Sequence, residues 1–64
     1  MNYASFYNEN AGRQVRVEMT DGELFTGELF AYISAADNEP EPESIVVNRI
    51  ELFTREIRHI EVIS

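Results

Sequence analysis

The chain has 64 residues, which is enough for one domain and leaves no room for a second. It has no cysteine, so disulfides and thiolate metal sites are excluded. Its net charge of −7 disfavours a general affinity for polyanions such as nucleic acids. A chain this short buries only about 60% of the surface that its unfolded form exposes. Association with another subunit is therefore the expected extra source of stability.

The composition predicts a soluble, globular β-protein. Hydrophobic residues make up 44% of the chain, too many for a disordered segment. Val and Ile together number 11 against 3 Leu, and β-branched side chains favour pleated sheets. The sequence contains no apolar run of about 18 residues that would span a membrane. The N-terminus lacks the basic and apolar regions of a secretory signal, so a cytoplasmic location is expected.

Residues 2–10 are predicted to form a short helix. Tyr3, Phe6 and Tyr7 recur at helical spacing, and Gly12 follows where a helix is often capped. We expect the aromatic stripe to pack over one end of the domain. The alternative is that the stripe binds a partner.

The next segments predict a β-hairpin. Val15, Val17 and Met19 alternate with polar residues, which is typical of a half-buried strand. Asp21-Gly22 then forms a strong signal for a tight turn.

The second strand begins at Glu23 or Leu24 and contains Gly27, which predicts a sharp bend or a close backbone approach. Its outer face carries both apolar and polar residues at first and ends with Phe30 and Tyr32, although a solvent-exposed face of a sheet is expected to be polar.

Residues 34–43 are predicted to be an acidic, proline-containing loop, in which the Glu-Pro-Glu-Pro-Glu run of residues 39–43 extends into solvent in a polyproline-like form. Residues 44–53 form either one continuous strand or, as we favour, two short strands that meet at Asn48-Arg49. In the closing segment, the spacing of Ile57 and Ile60 fits one 3₁₀ turn. A last strand follows, with Ile63 on its outer face.

The order of these features resembles the Sm/LSm-like family of small β-barrels over about residues 3–63. Residues 12–19 read G-R-Q-V-R-V-E-M, like the family's opening strand. Residues 21–29 read D-G-E-L-F-T-G-E-L, which looks like the family's D-G-x-x-F-x-G-x-L signature. The ending I-x-x-I-x-V-I at residues 57–63 is similar to the family's last strand. The resemblance implies an all-β fold: a strongly bent five-stranded Sm/SH3-like barrel with a short N-terminal helix.

The resemblance also implies a homo-oligomer, such as a ring, and RNA as a ligand. The family's RNA-contact motifs are not matched. The positions of the RNA-contacting residues are occupied by Ile33 and Ala36 in the first motif and by Phe53 and Thr54 in the second. Four nearby residues are the candidate contacts for RNA or a partner: Arg55, Arg58, His59 and Asn38.

No pattern indicates catalysis, a cofactor or a metal site, so the chain is not expected to be an enzyme. His59 is the only histidine and has no cysteine to act with, and no G-x-S-x-G elbow is present.

Three classes of function remain open: a self-assembling Sm-like homo-oligomer, an SH3-like protein-protein interaction module, and a structural accessory subunit without nucleic-acid binding. The first is favoured, because the predicted fourth and last strands carry neither proline nor lysine to protect their edges. The expected oligomer interface comprises Arg49, Glu51, Phe53, Glu61 and Ile63.

Overall fold

The computed structural model describes all 64 residues. Its elements in chain order are helix α1 (Tyr3–Asn10), strands β1 (Gln14–Met19) and β2 (Leu24–Ile33), helix α2 (Ala35–Asn38), strands β3 (Ser44–Val47) and β4 (Ile50–Phe53), a 3₁₀ turn (Thr54–Glu56) and strand β5 (Ile57–Val62). The strands form one antiparallel sheet in the order β4-β3-β2-β1-β5. The predicted all-β class with a short N-terminal helix is confirmed. The sheet is not closed by pairing of β4 with β5, so these strands are its two edges. Neither of the two helices has the length and apolar character of a membrane-spanning segment.

The core follows from the alternation of apolar residues along the strands. Its buried side chains come from all five strands and are Val15, Val17, Met19, Leu29, Ile45, Val47, Leu52 and Ile60. Burial of each contributes about 1.5–3 kcal/mol before the cost of ordering the chain. The aromatic stripe of α1 packs against this core through Tyr3, Phe6 and Tyr7, as the helical spacing predicted. The helix begins at Asn2, whose side chain accepts a hydrogen bond from the Ser5 backbone N–H at 3.1 Å.

Two tight turns connect neighbouring strands where the sequence predicted them. Gly22 has a φ of 93° in the β1–β2 turn, which glycine accepts without strain. Asp21 stabilises the same turn by accepting a hydrogen bond from the Glu23 backbone N–H at 2.9 Å. The β3–β4 turn lies at Asn48-Arg49, where Asn48 has a φ of 56°. Asparagine is one of the few residues other than glycine that adopts this conformation readily.

A register shift in the β2–β3 ladder corrects one expectation about the outer face. The shift lies between Leu29 and Ala31, so the simple alternation of the sequence ends there. Phe30 remains on the outer face and is 62% exposed. Tyr32, in contrast, packs against the core, opposite the buried Ile45. The prediction that Tyr32 shares the outer face of Phe30 is therefore wrong.

The acidic loop is more ordered than the sequence predicted. Its first part is the one-turn helix α2, in which the Ser34 side chain accepts a hydrogen bond from the Asp37 backbone N–H at 3.2 Å. Its last residue, Glu43, is half-buried and returns the chain to β3. The expectation that residues 34–43 are loop throughout is therefore wrong for residues 35–38, and the expectation that the run of residues 39–43 extends into solvent is wrong for Glu43.

Candidate functional site: the two edges of the sheet

The candidate site is the pair of strand edges that no other strand of the chain covers. Each edge strand has a neighbour on one side only: β3 beside β4, and β1 beside β5. Backbone N–H and C=O groups on the outer side of such strands are available to another chain. Neither strand contains proline or lysine, the residues that commonly block such pairing. These are the two strands that the sequence predicted to be open.

A concavity of about 650 Å³ lies beside the start of β4, and we call it the β4 concavity. Its lining residues are Glu28, Phe30, Val46, Asn48, Arg49 and Ile50. Phe30 and Ile50 are 62% and 47% exposed. The Arg49 guanidinium at its rim makes no hydrogen bond or ion pair within the chain. The β4 edge therefore combines free backbone groups, apolar surface and an unpaired cation.

A second concavity of about 460 Å³ lies between β4 and the β1–β2 turn. Its apolar lining is Met19, Phe25, Ile50 and Leu52, and its polar lining is Thr20, Asp21, Glu23, Glu51 and Glu56. The chain contains no group of three or more His, Asp or Glu side chains placed to hold a metal ion. This concavity is therefore an acidic surface recess.

The predicted interface residues fall on both edges. Arg49 lies in the β3–β4 turn, and Glu51 and Phe53 lie on β4. Glu61 lies on β5, and Ile63 follows the last residue of that strand. Glu61 is already engaged by Arg16, whose Nη2 lies 3.2 Å from its carboxylate. Both side chains are about half exposed, so this ion pair contributes little to stability.

The four candidate contacts for RNA or a partner have different environments. Arg58 donates a hydrogen bond to the Thr20 backbone carbonyl at 3.0 Å. Arg55 and His59 are exposed on the 3₁₀ turn and on β5. Asn38 is half-buried, and its side-chain amide donates to the Pro42 carbonyl at 2.8 Å. The same amide donates to Glu51 Oε2 at 2.9 Å, so its donor groups are used inside the chain.

Glu51 links the acidic loop to β4 through hydrogen bonds. Its carboxylate accepts hydrogen bonds from the Ser44 hydroxyl at 2.7 Å and from the Asn38 amide at 2.9 Å. These hydrogen bonds, first that from Ser44 and then that from Asn38, lower the pKa of Glu51 below its usual range. The Ser44 side chain is completely buried, and Glu51 supplies the acceptor for its hydroxyl group.

Glu43 forms a second set of hydrogen bonds between the loop and the rest of the domain. Its carboxylate accepts hydrogen bonds of 2.5 Å from the Tyr32 hydroxyl and from the Thr54 hydroxyl. The hydrogen bond to Glu43 raises the pKa of Tyr32, and partial burial raises that of Tyr3, to which the Glu43 charge also contributes. Sequence reasoning missed the roles of Glu43 and Glu51. The available signal was that Glu43 precedes a strand directly, whereas the other two glutamates of the run precede prolines.

The lowered pKa of Glu51 predicts a pH-dependent stability. A carboxyl whose pKa is lower in the folded state contributes stability above its unfolded pKa of about 4.3 and loses it as the pH falls through the folded value. We expect the Tm to fall in this acidic range, and Glu51→Gln to flatten that part of the profile. Glu41→Gln is the control, because the Glu41 carboxylate makes no hydrogen bond. Equal acid sensitivity of the Glu51→Gln and wild-type proteins in thermal melts would contradict the assignment.

In comparisons with known proteins, no family model, curated protein or solved structure matches the chain. The fold and its edges define a class: a small all-β protein built on one five-stranded antiparallel sheet with two unpaired edge strands.

Proposed function

We propose that the chain is a self-assembling protein of the Sm-like kind, whose functional unit is a homo-oligomer formed by pairing β4 of one subunit with β5 of the next. The observation that carries the proposal is that these two strands are the unpaired edges of the same sheet. Pairing between two different edges is head-to-tail, so it repeats from subunit to subunit and makes a ring where the rotation closes.

The small core supports this proposal. Only eight apolar residues are buried, while Leu24, Phe30, Ile50 and Ile63 are between 42% and 63% exposed. Each additional 100 Å² of apolar surface buried between subunits contributes about 2.5 kcal/mol before the cost of association. Burial of Ile50 and Ile63 at the two edges thus supplies stability that a single chain lacks.

Charge acts against assembly and sets its dependence on salt. Subunits of net charge −7 repel each other, and added salt screens this repulsion. Arg49 and Arg55 make no ion pair within the chain, so both are available to carboxylates of a neighbouring subunit. Such exposed pairs contribute little energy, and their main effect is on register.

RNA is not the ligand that the site favours. Glu43 and Glu51 place two carboxylates where the acidic loop meets β4 and the 3₁₀ turn, and the Asn38 amide is engaged within the chain. Because phosphate contacts dominate RNA affinity, a surface with this charge lacks the main source of binding energy.

The proposal predicts that Ile63→Lys reduces the size of the assembly, because it places a solvated charge at the edge that a neighbour covers. Leu24→Lys is the matched control: Leu24 is 63% exposed and lies on β2, a central strand. Size-exclusion chromatography with light scattering measures the mass of each variant. Lysine is preferred to proline here because the Ile63 backbone N–H donates to the Gln14 carbonyl within the chain. An unchanged mass for Ile63→Lys would contradict edge pairing.

A further inference from the structure

The β4 concavity lacks a cover within its own chain. Phe30 is 62% exposed and Ile50 is 47% exposed, and Val46 between them is half-buried. A contiguous apolar surface that stays exposed in the single chain is a common mark of an interaction site. Because this surface borders a free strand edge, an added strand would cover it.

The direction of the strands determines which end of an added strand reaches the concavity. Every neighbouring pair in the sheet is antiparallel. A strand added to β4 in the same manner places its C-terminal end beside Ile50, because β4 begins at that residue. For β5 of a second copy, this end is Val62 followed by Ile63.

The orientation of the side chains determines which residue at this end, Val62 or Ile63, reaches the concavity. Val62 packs against its own core, whereas Ile63 is 42% exposed. Side chains that point to one face of a strand lie on the same face of a continuous sheet. Ile63 of a neighbour therefore meets the outer face, where Phe30 and Val46 lie.

We infer that the β4 concavity is the binding pocket for Ile63 of a neighbouring subunit, an inference that rests on the proposed β4–β5 assembly. The occupant is apolar, as are Phe30, Val46 and Ile50 in the lining. In the antiparallel arrangement Glu61 lies on the Leu52 side of Ile63 and away from Arg49, so the fit rests on apolar contact.

A pair of substitutions on one strand tests the pocket. Phe30 and Leu24 both lie on the outer face of β2 and are 62% and 63% exposed. Only Phe30 lines the β4 concavity. We expect Phe30→Glu to lower the light-scattering mass severalfold, toward the 7.4 kDa of one chain, and Leu24→Glu to keep the wild-type mass. Circular dichroism of both variants checks that the sheet is retained.

Cross-linking tests the contact directly, because the chain has no cysteine of its own. Ile50→Cys and Ile63→Cys chains, co-expressed and treated with a short bismaleimide, are expected to give a covalent dimer. Each variant alone is expected to give at least tenfold less, since the contact joins two different edges. Ile50→Cys co-expressed with Leu24→Cys is the control and is expected to give no dimer.

The outcomes separate the pocket from the assembly. An oligomeric wild-type protein in which Ile50→Cys and Ile63→Cys do not cross-link, or in which Phe30→Glu keeps its mass, would overturn the pocket and leave β4–β5 pairing standing. A wild-type mass of one chain would overturn both.

Discussion

Gly27→Val is expected to destabilise the fold by about 1–3 kcal/mol, a cost typical of overpacking a filled site. Gly27 is buried in the middle of β2, and a Cβ atom at this position would overlap the side-chain amide of Asn48. That amide is held in place, because Asn48 Oδ1 accepts a hydrogen bond from the Glu28 backbone N–H at 2.9 Å. A larger residue must therefore displace Asn48 and break this bond. Urea unfolding measures the change in the free energy of unfolding.

A double-mutant cycle tests the reason for this cost. Asn48 has a φ of 56°, which glycine also adopts, so Asn48→Gly removes the obstructing side chain without straining the turn. We expect Gly27→Ala to cost less in the Asn48→Gly background than in the wild-type protein, with an interaction energy of about 1 kcal/mol or more. Strictly additive effects would show that the approach of Asn48 is not what requires glycine at this position.

Glu43→Ala is expected to destabilise the protein by about 2–3 kcal/mol. The substitution removes an acceptor shared by the Tyr32 and Thr54 hydroxyl groups, each of which forms a hydrogen bond of 2.5 Å with the carboxylate. Hydrogen bonds to a charged group contribute about 1.5–3 kcal/mol each. In the variant, the two half-buried hydroxyl groups also lose their acceptor, and a buried donor without a partner is destabilising. Thermal and urea unfolding at neutral pH measure the loss.

Glu41→Ala provides the matched control within the same run of residues. Glu41 is exposed and its side chain makes no hydrogen bond, so its replacement is expected to change stability by less than about 0.5 kcal/mol. Equal effects of the two substitutions would mean that Glu43 acts only as one of several solvated charges.

Local signals made much of the fold predictable. The alternation around Val15 and Val17 depends only on which residues face the core, and the Asp21-Gly22 turn depends on the conformational freedom of glycine. The break at Asn48-Arg49 was predicted on similar grounds, because asparagine adopts a positive φ more readily than most residues.

Features that depend on distant residues were not predictable in this way. Tyr32 points toward the core because the register of β2 against β3 shifts after Leu29. No residue near Tyr32 in the sequence indicates that shift. Glu43 looked like one member of a solvated acidic run. Its partner Thr54 lies 11 residues away, beyond two further strands.

The candidate site was predicted in part. The fourth and last strands were predicted to have open edges because they lack proline and lysine, and Phe30 was predicted to be an apolar residue on the outer face. Ile50 was missed as an exposed residue. It has the same facing as the buried Leu52, and it is exposed because β4 begins there, at the rim of the sheet.

The mass of the wild-type protein in solution tests the assembly most directly. Light scattering at micromolar concentration and physiological salt is expected to give a multiple of 7.4 kDa, and the assembly is expected to tighten with moderate added salt as repulsion between the subunits is screened. A mass of one chain under these conditions would contradict pairing of β4 with β5 and would favour an SH3-like interaction module instead.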